Sequence, residues 1–403
     1  MKLTPAQSKI FLDQSRFKVV CAGRRFGKSF LSLCTLLHEA ATQDKALCWY
    51  VAPTYRQAKQ IAWKMLKEFA PRGFVVATNE TDLSLTFKNG SVIALRGADN
   101  YDSLRGVGLN ALVLDEFADM DESAWAEVLR PALSDKQGRA LFIGTPAGYN
   151  HFYQLWIDAH HKADWSAYQF TTAQGGNVLQ PELDAARLDL DDRTYRQEYE
   201  ASFESLTGRV YYAFDRVQNV SADLVDTGAE LLVGMDFNIN PMSAVIACKA
   251  GGQLHAFDEI TINNGNTELM AAQLKARYPG RSIVVYPDPS GKARKTSAPV
   301  GQTDFSILRD HGFRVVAPHS APLVVDRINT VNALFCNSAG VRRLLIHPRC
   351  KQTVKSFDGL TYKDGTNQPD KALGLDHLVD ALGYTVCELF PLIKNTVTTT
   401  DGW

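Results

Sequence analysis

The stretch Phe17-Lys18-Val19-Val20-Cys21-Ala22-Gly23-Arg24-Arg25-Phe26-Gly27-Lys28-Ser29 limits the folds open to this chain more than any other. A short apolar run leads into a small-residue loop, and Gly-Lys-Ser then opens a helix. Amides of such a loop and of the helix N-terminus face phosphate oxygens. Lys28 would reach the β- and γ-phosphates of a nucleoside triphosphate, and Ser29 would hold Mg²⁺. Gly23, Arg24, Arg25, Phe26 and Gly27 would form the cradle. The strict phosphate-loop pattern has a glycine where this chain has Ala22. The competing reading is a plain strand-to-helix turn with solvated arginines. The flanking strand and helix favour the phosphate site.

A second feature supports it. Ala111-Leu112-Val113-Leu114-Asp115-Glu116 is an apolar run ending in two acids. Buried parallel strands read this way, and open α/β sheets bind ligands at the carboxyl ends of their strands. Asp115 would hold Mg²⁺ through water, and Glu116 would polarise the attacking water. Leu141-Phe142-Ile143-Gly144-Thr145-Pro146 is a third such strand. Thr145 would sense the γ-phosphate, or simply lie in a Gly/Pro turn. Gln7, upstream of the loop, stands where many helicase-like ATPases read the adenine edge. Buried strands separated by helical segments predict a doubly wound parallel sheet.

Further elements follow from spacing. A short helix is expected over 5–14, a strand over 46–52 and a helix over 55–70. Lys88-Asn89-Gly90-Ser91 predicts a hairpin between 83–87 and 92–95. Residues 165–170 read as one more strand. Residues 181–203 read as helical, with Tyr195, Tyr199 and Phe203 on one packing face. The first domain is expected over 1–205, with 151–205 as its lid subdomain, and 206–228 as a linker.

The remainder, 229–390, reads as a second α/β domain, with 391–403 a short tail. Leu231–Phe237 is a strand holding Asp236, two more strands follow around a Gly251-Gly252 turn, and a helix covers 267–277. Ser282–Asp288 is a strand ending in an acid. Late in the chain, His377 and Asp380 share a helix face at i, i+3, as Asp376 and Asp380 do at i, i+4. This β-β-β-α-β order, with acids on the first and fourth strands, is the ribonuclease-H order. Three carboxylates, Asp236, Asp288 and Asp380, are hard ligands of the kind a two-metal nuclease needs.

Composition narrows the partners. A formal net charge of -1 gives no bulk attraction to nucleic acid, so DNA contact has to come from local patches. Lys292, Arg294 and Lys295 form one, and Arg342, Arg343, Arg349, Lys351 and Lys355 another. Seven scattered cysteines without a C-x-x-C predict neither a disulfide framework nor a zinc cluster, which fits a reducing cytoplasm. The N-terminus has no apolar signal core, and no apolar run is long enough to span a membrane.

As a set, the loop Gly23–Ser29, Leu114-Asp115-Glu116, Gly144-Thr145-Pro146, Tyr195-Arg196-Gln197-Glu198-Tyr199, Gly234-Met235-Asp236-Phe237 and His377-Leu378-Val379-Asp380 resemble the large subunit of tailed-phage terminases. The resemblance runs from Gln7 to about Asp380. It implies an ATP-driven motor that moves double-stranded DNA into a procapsid, and a ribonuclease-H-like endonuclease that cuts the concatemer. The implied cofactors are ATP and Mg²⁺, with Mn²⁺ able to serve the nuclease. The implied partners are double-stranded DNA, the portal protein and the small terminase subunit. A homo-oligomeric ring would form on the portal from a chain monomeric in solution, in the host cell cytoplasm. By position, Lys28, Ser29, Asp115 and Glu116 serve the motor and Thr145 its coupling. Asp236, Asp288 and Asp380 would cut, with His377 beside the metals. Arg24 or Arg25 in cis, or Arg105 acting on a neighbour's ATP, compete for the arginine-finger role. Two other readings stay open: a helicase or remodelling ATPase with a non-cutting DNA-binding second domain, and a structural protein that uses ATP only to assemble.

Overall fold

The computed structural model describes residues 2–391, apart from 72, 205–207, 224–227, 229, 295–298, 300 and 364–365. Lys295 and nearly all of the tail lie outside the described residues. The chain forms two compact units, Met1–Asp184 with Tyr195–Ser205, and Ala185–Thr194 with Leu206–Trp403.

In the first unit, β1 (Phe17–Ala22), β2 (Leu47–Ala52), β3 (Val75–Asn79), β4 (Ser84–Phe87), β5 (Val92–Gly97), β6 (Ala111–Asp115), β7 (Arg139–Gly144) and β8 (Trp165–Phe170) form one sheet. Its order is β3-β4-β5-β2-β6-β7-β1-β8. The strands from β5 to β8 in that order run parallel, and β3 and β4 add an antiparallel edge. Strands β1 and β6 are buried along their whole length because helices cover both faces, which is why they read as unbroken apolar runs. The Asn-Gly turn joins β4 to β5, as its sequence predicts. β7 lies between the loop strand β1 and the acidic strand β6. The carboxyl ends of all three strands therefore open side by side.

The helix expected over 55–70 is interrupted. Tyr55–Ala58 and Lys64–Phe69 are α-helical, and Lys59–Trp63 between them is a π-turn. The expected aromatic stripe also divides. The rings of Tyr195 and Tyr199 stack at 5.1 Å, but their helix ends at Tyr199. Phe203, beyond it, packs on Trp156 and Tyr153 instead.

The second unit holds β9 (Leu231–Asp236), β10 (Met242–Ala250), β11 (Gln253–Ile262), β12 (Ile283–Pro287), β13 (Arg314–Val315) and β14 (Leu344–Ile346). Their order is β13-β12-β9-β10-β11-β14. β9 to β11 form an antiparallel meander, and β12 joins β9 in parallel. That is the ribonuclease-H arrangement with one added strand, β14. The unit boundary differs from the sequence reading. Val210, Tyr211 and Phe214, from the stretch expected as a linker, are buried in the second core. Their apolar side chains have more to gain from burial than a linker would supply.

The helix Asp376–Leu389 crosses β9 closely. A Cβ placed on Gly234 would lie 2.1 Å from the carbonyl oxygen of Ala381. Only glycine fits there, since backbone on both sides cannot yield. Gly234→Ala is thus expected to destabilise the second unit by roughly 1–3 kcal/mol or more. Urea unfolding should show the second-unit transition at lower denaturant and the first-unit transition unmoved.

Candidate active sites

The loop after β1 has the conformation its composition allows. Gly27 caps the helix Lys28–Thr42 at φ 91°, a left-handed position that favours glycine. Arg25 also has positive φ, 61°. Lys28 is buried, and its Nζ donates to the Ala22 carbonyl at 3.2 Å and to Thr145 Oγ1 at 2.7 Å. Glu116 Oε1 lies 3.6 Å from the same ammonium. Glu116 Oε2 accepts from the Thr145 amide at 3.1 Å. The expected phosphate lysine, coupling threonine and water-polarising glutamate thus meet at one point. Glu116 sits there in a left-handed backbone conformation, φ 52°, which is uncommon for a residue with a side chain.

Asp115 is buried, and its Oδ2 accepts from Ser29 Oγ at 2.9 Å and from the Tyr50 hydroxyl. Burial and the neighbouring charge of Glu116 push its carboxyl up to about 6, against the pull of Tyr50, Lys28 and Ser29. The paired oxygens of Ser29 and Asp115 are the hard donors that Mg²⁺ prefers, so the residues present fit that ion. Tyr50 was missed by the sequence reading. It stands inside an apolar strand run, where a tyrosine reads as core, and only its hydroxyl marks it.

Gln7 is engaged within the chain beside the phosphate loop. Its amide nitrogen donates to the Phe26 carbonyl at 2.9 Å, and its oxygen accepts from the Thr4 amide at 3.0 Å. The carboxamide is buried and braces the phosphate loop itself. The three candidate arginines differ in their surroundings. Arg24 pairs through Nε with Glu198, which raises its pKa although burial opposes. Arg25 is exposed. Arg105 lies at the surface, 3.0 Å from Asp102 and 3.6 Å from Glu127.

In the second unit, Asp236 ends β9 and is buried. Burial raises its carboxyl from the ordinary value, with Asn238 and His377 opposing through hydrogen bonds. Asn238 donates to Asp236 Oδ2 at 2.6 Å, and His377 Nδ1 is 3.2 Å from the same oxygen. Asp288 follows β12, in register beside Asp236, and its amide bonds the Met235 carbonyl at 3.0 Å. Asp380 lies on the helix Asp376–Leu389. Its Oδ1 is 2.7 Å from Arg327 Nη2, and its Oδ2 is 3.7 Å from Lys371 Nζ. Burial raises the Asp380 carboxyl, and Arg327 and Lys371 pull it back. Asp376, beside it, takes Lys371 Nζ at 2.8 Å.

The charge of Asp380 reaches Asp236, so these acids share one neighbourhood. Among the described residues no three carboxylate, histidine or cysteine groups come together in a metal-holding arrangement. The expected set of Asp236, Asp288 and Asp380 offers the hard oxygens a divalent ion prefers, and in this structure Asp380 is paired with Arg327 and Lys371. Ser243 is paired with Asp236 across β9 and β10, on the same face. Its hydroxyl is fully buried and has no hydrogen-bond partner. Arg327 and Lys371 were not legible as site residues, since nothing in their spacing links them to the acids.

The basic runs fare unequally. Arg342 is spent on the protein, donating to the carbonyls of Ala213 and Phe335 and to Asn219. Arg343 donates to the Leu188 carbonyl. Arg349, Lys351, Lys355 and Arg294 are exposed. Lys292 is also exposed but bonds the His319 carbonyl.

A phosphate-loop nucleotide domain joined in one chain to a ribonuclease-H-like domain is the class that this fold and these residues define. Residues 19–218 match the family model described as terminase large subunit, T4likevirus-type, N-terminal. Residues 233–389 match the terminase RNaseH-like domain. The chain belongs to the terminase large-subunit family. It is 28% identical over 248 residues to the large terminase subunit of Escherichia phage T5, covering 58% of this chain and 56% of that protein. It is 27% identical over 255 residues to that of Thermus phage G20c, covering 52% and 50%. The chain spans about half the length of the curated relatives it matches. Its fold is shared with the large terminase of a thermophilic bacteriophage, at TM-score 0.65 and 17% identity over 96% of this chain and 99% of that one. The same thermophilic phage protein in complex with ADP aligns at TM-score 0.63, with 18% identity and the same coverage.

The buried Asp115 generates a stability prediction. A carboxyl whose folded pKa is raised costs stability once ionised, so the cost is present above about pH 6 and disappears as pH falls towards 4. Asp115→Asn should stabilise the ligand-free chain at pH 7.5 by on the order of 1–3 kcal/mol. Calorimetric melting of parent and variant should show that gain at pH 7.5 and little of it near pH 4.

Proposed function

We propose that this chain is an ATP-driven translocase of double-stranded viral DNA and a metal-dependent DNA endonuclease. The observation that carries the motor is the meeting of Lys28, Thr145, Glu116, Ser29 and Asp115 at the ends of β1, β6 and β7. Family membership and the ADP complex of the thermophilic phage protein support the same reading.

In this reading the Lys28 ammonium leaves Thr145 Oγ1 for the γ-phosphate. The hydroxyl of Ser29 and the carboxylate of Asp115, directed by Tyr50, hold the metal. When bound there, Mg²⁺ would supply positive charge against that developing on the phosphate. Glu116 orients water for in-line attack. Because Glu116 also accepts from the Thr145 amide, a change at the phosphate is transmitted to the end of β7. Arg24, Arg25 and Arg105 remain candidates for the arginine finger. Arg24 would first have to exchange Glu198 for phosphate, and Arg105 would serve a neighbouring subunit from the surface.

The second unit cuts DNA in this reading. Asp236, Asp288 and Asp380 would hold divalent ions, Mg²⁺ or Mn²⁺, with His377 beside Asp236 to handle a proton. When bound, the ions supply an activated water and neutralise phosphate charge. Asp380 would first have to exchange Arg327 and Lys371 for metal. DNA, the portal protein and the small subunit are the proposed partners, with a ring forming on the portal from a chain monomeric in solution. The host cell cytoplasm is the proposed site of action. Among the described residues no helix is long and apolar enough to cross a membrane. The cations on Asp380 favour one alternative, a remodelling ATPase whose second unit binds DNA without cutting.

Phosphate release and plasmid digestion, measured on the same preparations, test both halves. Lys28→Ala should abolish ATP turnover, and Glu116→Gln should bind ATP while turning over about 10²-fold more slowly. Asp236→Ala should stop cleavage in Mn²⁺ and leave turnover at the parent level. Cleavage by Asp236→Ala equal to the parent would favour the non-cutting alternative.

A further inference from the structure

The amino ends of the first unit's strands hold a charged cavity that neither half of the proposed function uses. It lies between the helices Pro5–Leu12 and Lys28–Thr42 and the starts of β1, β6 and β7. The same three strands carry the nucleotide residues at or near their other ends. Thr35 and Glu39, on the second of these helices, line the cavity. A rise of ~1.5 Å per residue puts them roughly 10–17 Å from Lys28, so the cavity and the phosphate loop can be filled together. The space within is about 50 Å³. One water needs ~10–15 Å³, so a group of a few heavy atoms fits there and a nucleotide does not.

Two cations line this space with few acceptors. Lys18 pairs with Leu141 across β1 and β7, and Arg139 stands two residues before Leu141, so both side chains lie on one face of the sheet. Lys18 is only 8% exposed, and its ammonium donates to the Ile10 carbonyl at 2.9 Å. Arg139 is half-buried and reaches Gln14 Oε1 at 3.5 Å, the outer limit of a hydrogen bond. Among the described residues no carboxylate lies within ion-pair distance of either cation. An ammonium has three donors and a guanidinium five, and burying them without acceptors costs stability. Burial lowers the Lys18 pKa from its ordinary value and Arg139 lowers it further, while Asp13 and Glu39 pull it back. The other charges in the wall are engaged: Arg16 donates to the Gly138 and Leu133 carbonyls, and the buried Glu39 accepts from Gln43 at 2.5 Å. We propose that this cavity takes one small oxyanion, a carboxylate or a phosphate of a few heavy atoms, held between the Lys18 ammonium and the Arg139 guanidinium. The planar fork of Arg139 suits two oxygens of such a group, and Lys18 meets it as a point charge. Glu39 repels it and confines it to the strand side of the cavity.

The test reads anion binding on the full chain, with ATPγS and Mg²⁺ added so that the phosphate loop is occupied. Sodium acetate and sodium phosphate are titrated separately into the parent, Lys18→Met and Arg139→Gln proteins, with sodium chloride at equal ionic strength as the control. At least one of the two oxyanions should raise the parent melting temperature by about 2–4 °C at saturation, where chloride does not. Which of them does so tells a carboxylate site from a phosphate site. Lys18→Met should lose this response, and Arg139→Gln should need roughly tenfold more anion for it. Without added oxyanion Lys18→Met should melt no lower than the parent, because a buried charge with a single acceptor is gone. If Lys18→Met does not fold, Arg139→Gln decides the matter alone. A lysine that only ties β1 to the first helix would leave the anion response unchanged in both variants, and that result would overturn the inference. So would a parent that neither oxyanion stabilises beyond chloride. ATP turnover is not part of the readout, so a failure of the motor reading would show separately, as a parent protein that releases no phosphate.

Discussion

A lysine ammonium buried as deeply as that of Lys28 has to be met by acceptors, and their origin organises the first unit. One is the carbonyl at the end of its own strand, Ala22. Another is Thr145, at the end of β7. The third group around it is Glu116, at the end of β6. Desolvating a positive charge without such partners would be prohibitive, so the ends of three strands are held together by one side chain. The order that places β7 between β1 and β6 makes this possible. In the proposed motor a phosphate that takes the lysine competes with Thr145 for it, and Glu116 is bonded to the Thr145 amide.

The second unit meets the same problem with the opposite sign. Its charges to be accommodated are carboxylates on β9, after β12 and on the helix Asp376–Leu389. Asp376 and Asp380 are paired internally with Arg327 and Lys371, Asp236 is left to hydrogen bonds from Asn238 and His377, and Asp288 to the Ser290 amide. Burial raises the Asp236 carboxyl above its ordinary value, and the nearby charge of Asp380 adds to it. The unit is therefore left with an uncompensated acidic side that a cation would relieve.

Much of this was legible in the sequence, for identifiable reasons. Parallel strands buried on both faces leave unbroken apolar runs, so β1, β6, β9 and β12 could be found, the last three with their terminal acids. The turns Asn89-Gly90 and Gly251-Gly252 announced their hairpins because few residues accept positive φ. The linker reading of 206–228 departed from the fold because short stretches carry no period, and only packing reveals Tyr211 and Phe214 as core. Arg342 read as a patch cation, but charge in a sequence does not distinguish a phosphate contact from a helix-end and carbonyl clamp. Tyr50, Arg327, Lys371 and Ser243 escaped notice for a related reason. Each acts through a partner distant in the chain, so no local spacing reveals it.

The central claim is that one chain carries two separate phosphate-cleaving sites, each in its own unit. Anomalous scattering from Mn²⁺ in crystals of the full chain, grown with and without ATPγS, tests it most directly. The account predicts a peak beside Ser29 and Asp115 only when the nucleotide is present, with Lys28 released from Thr145. It predicts a second peak beside Asp236 and Asp288 whether or not nucleotide is bound. Nucleotide bound elsewhere, or a second unit without manganese at saturating concentration, would contradict it.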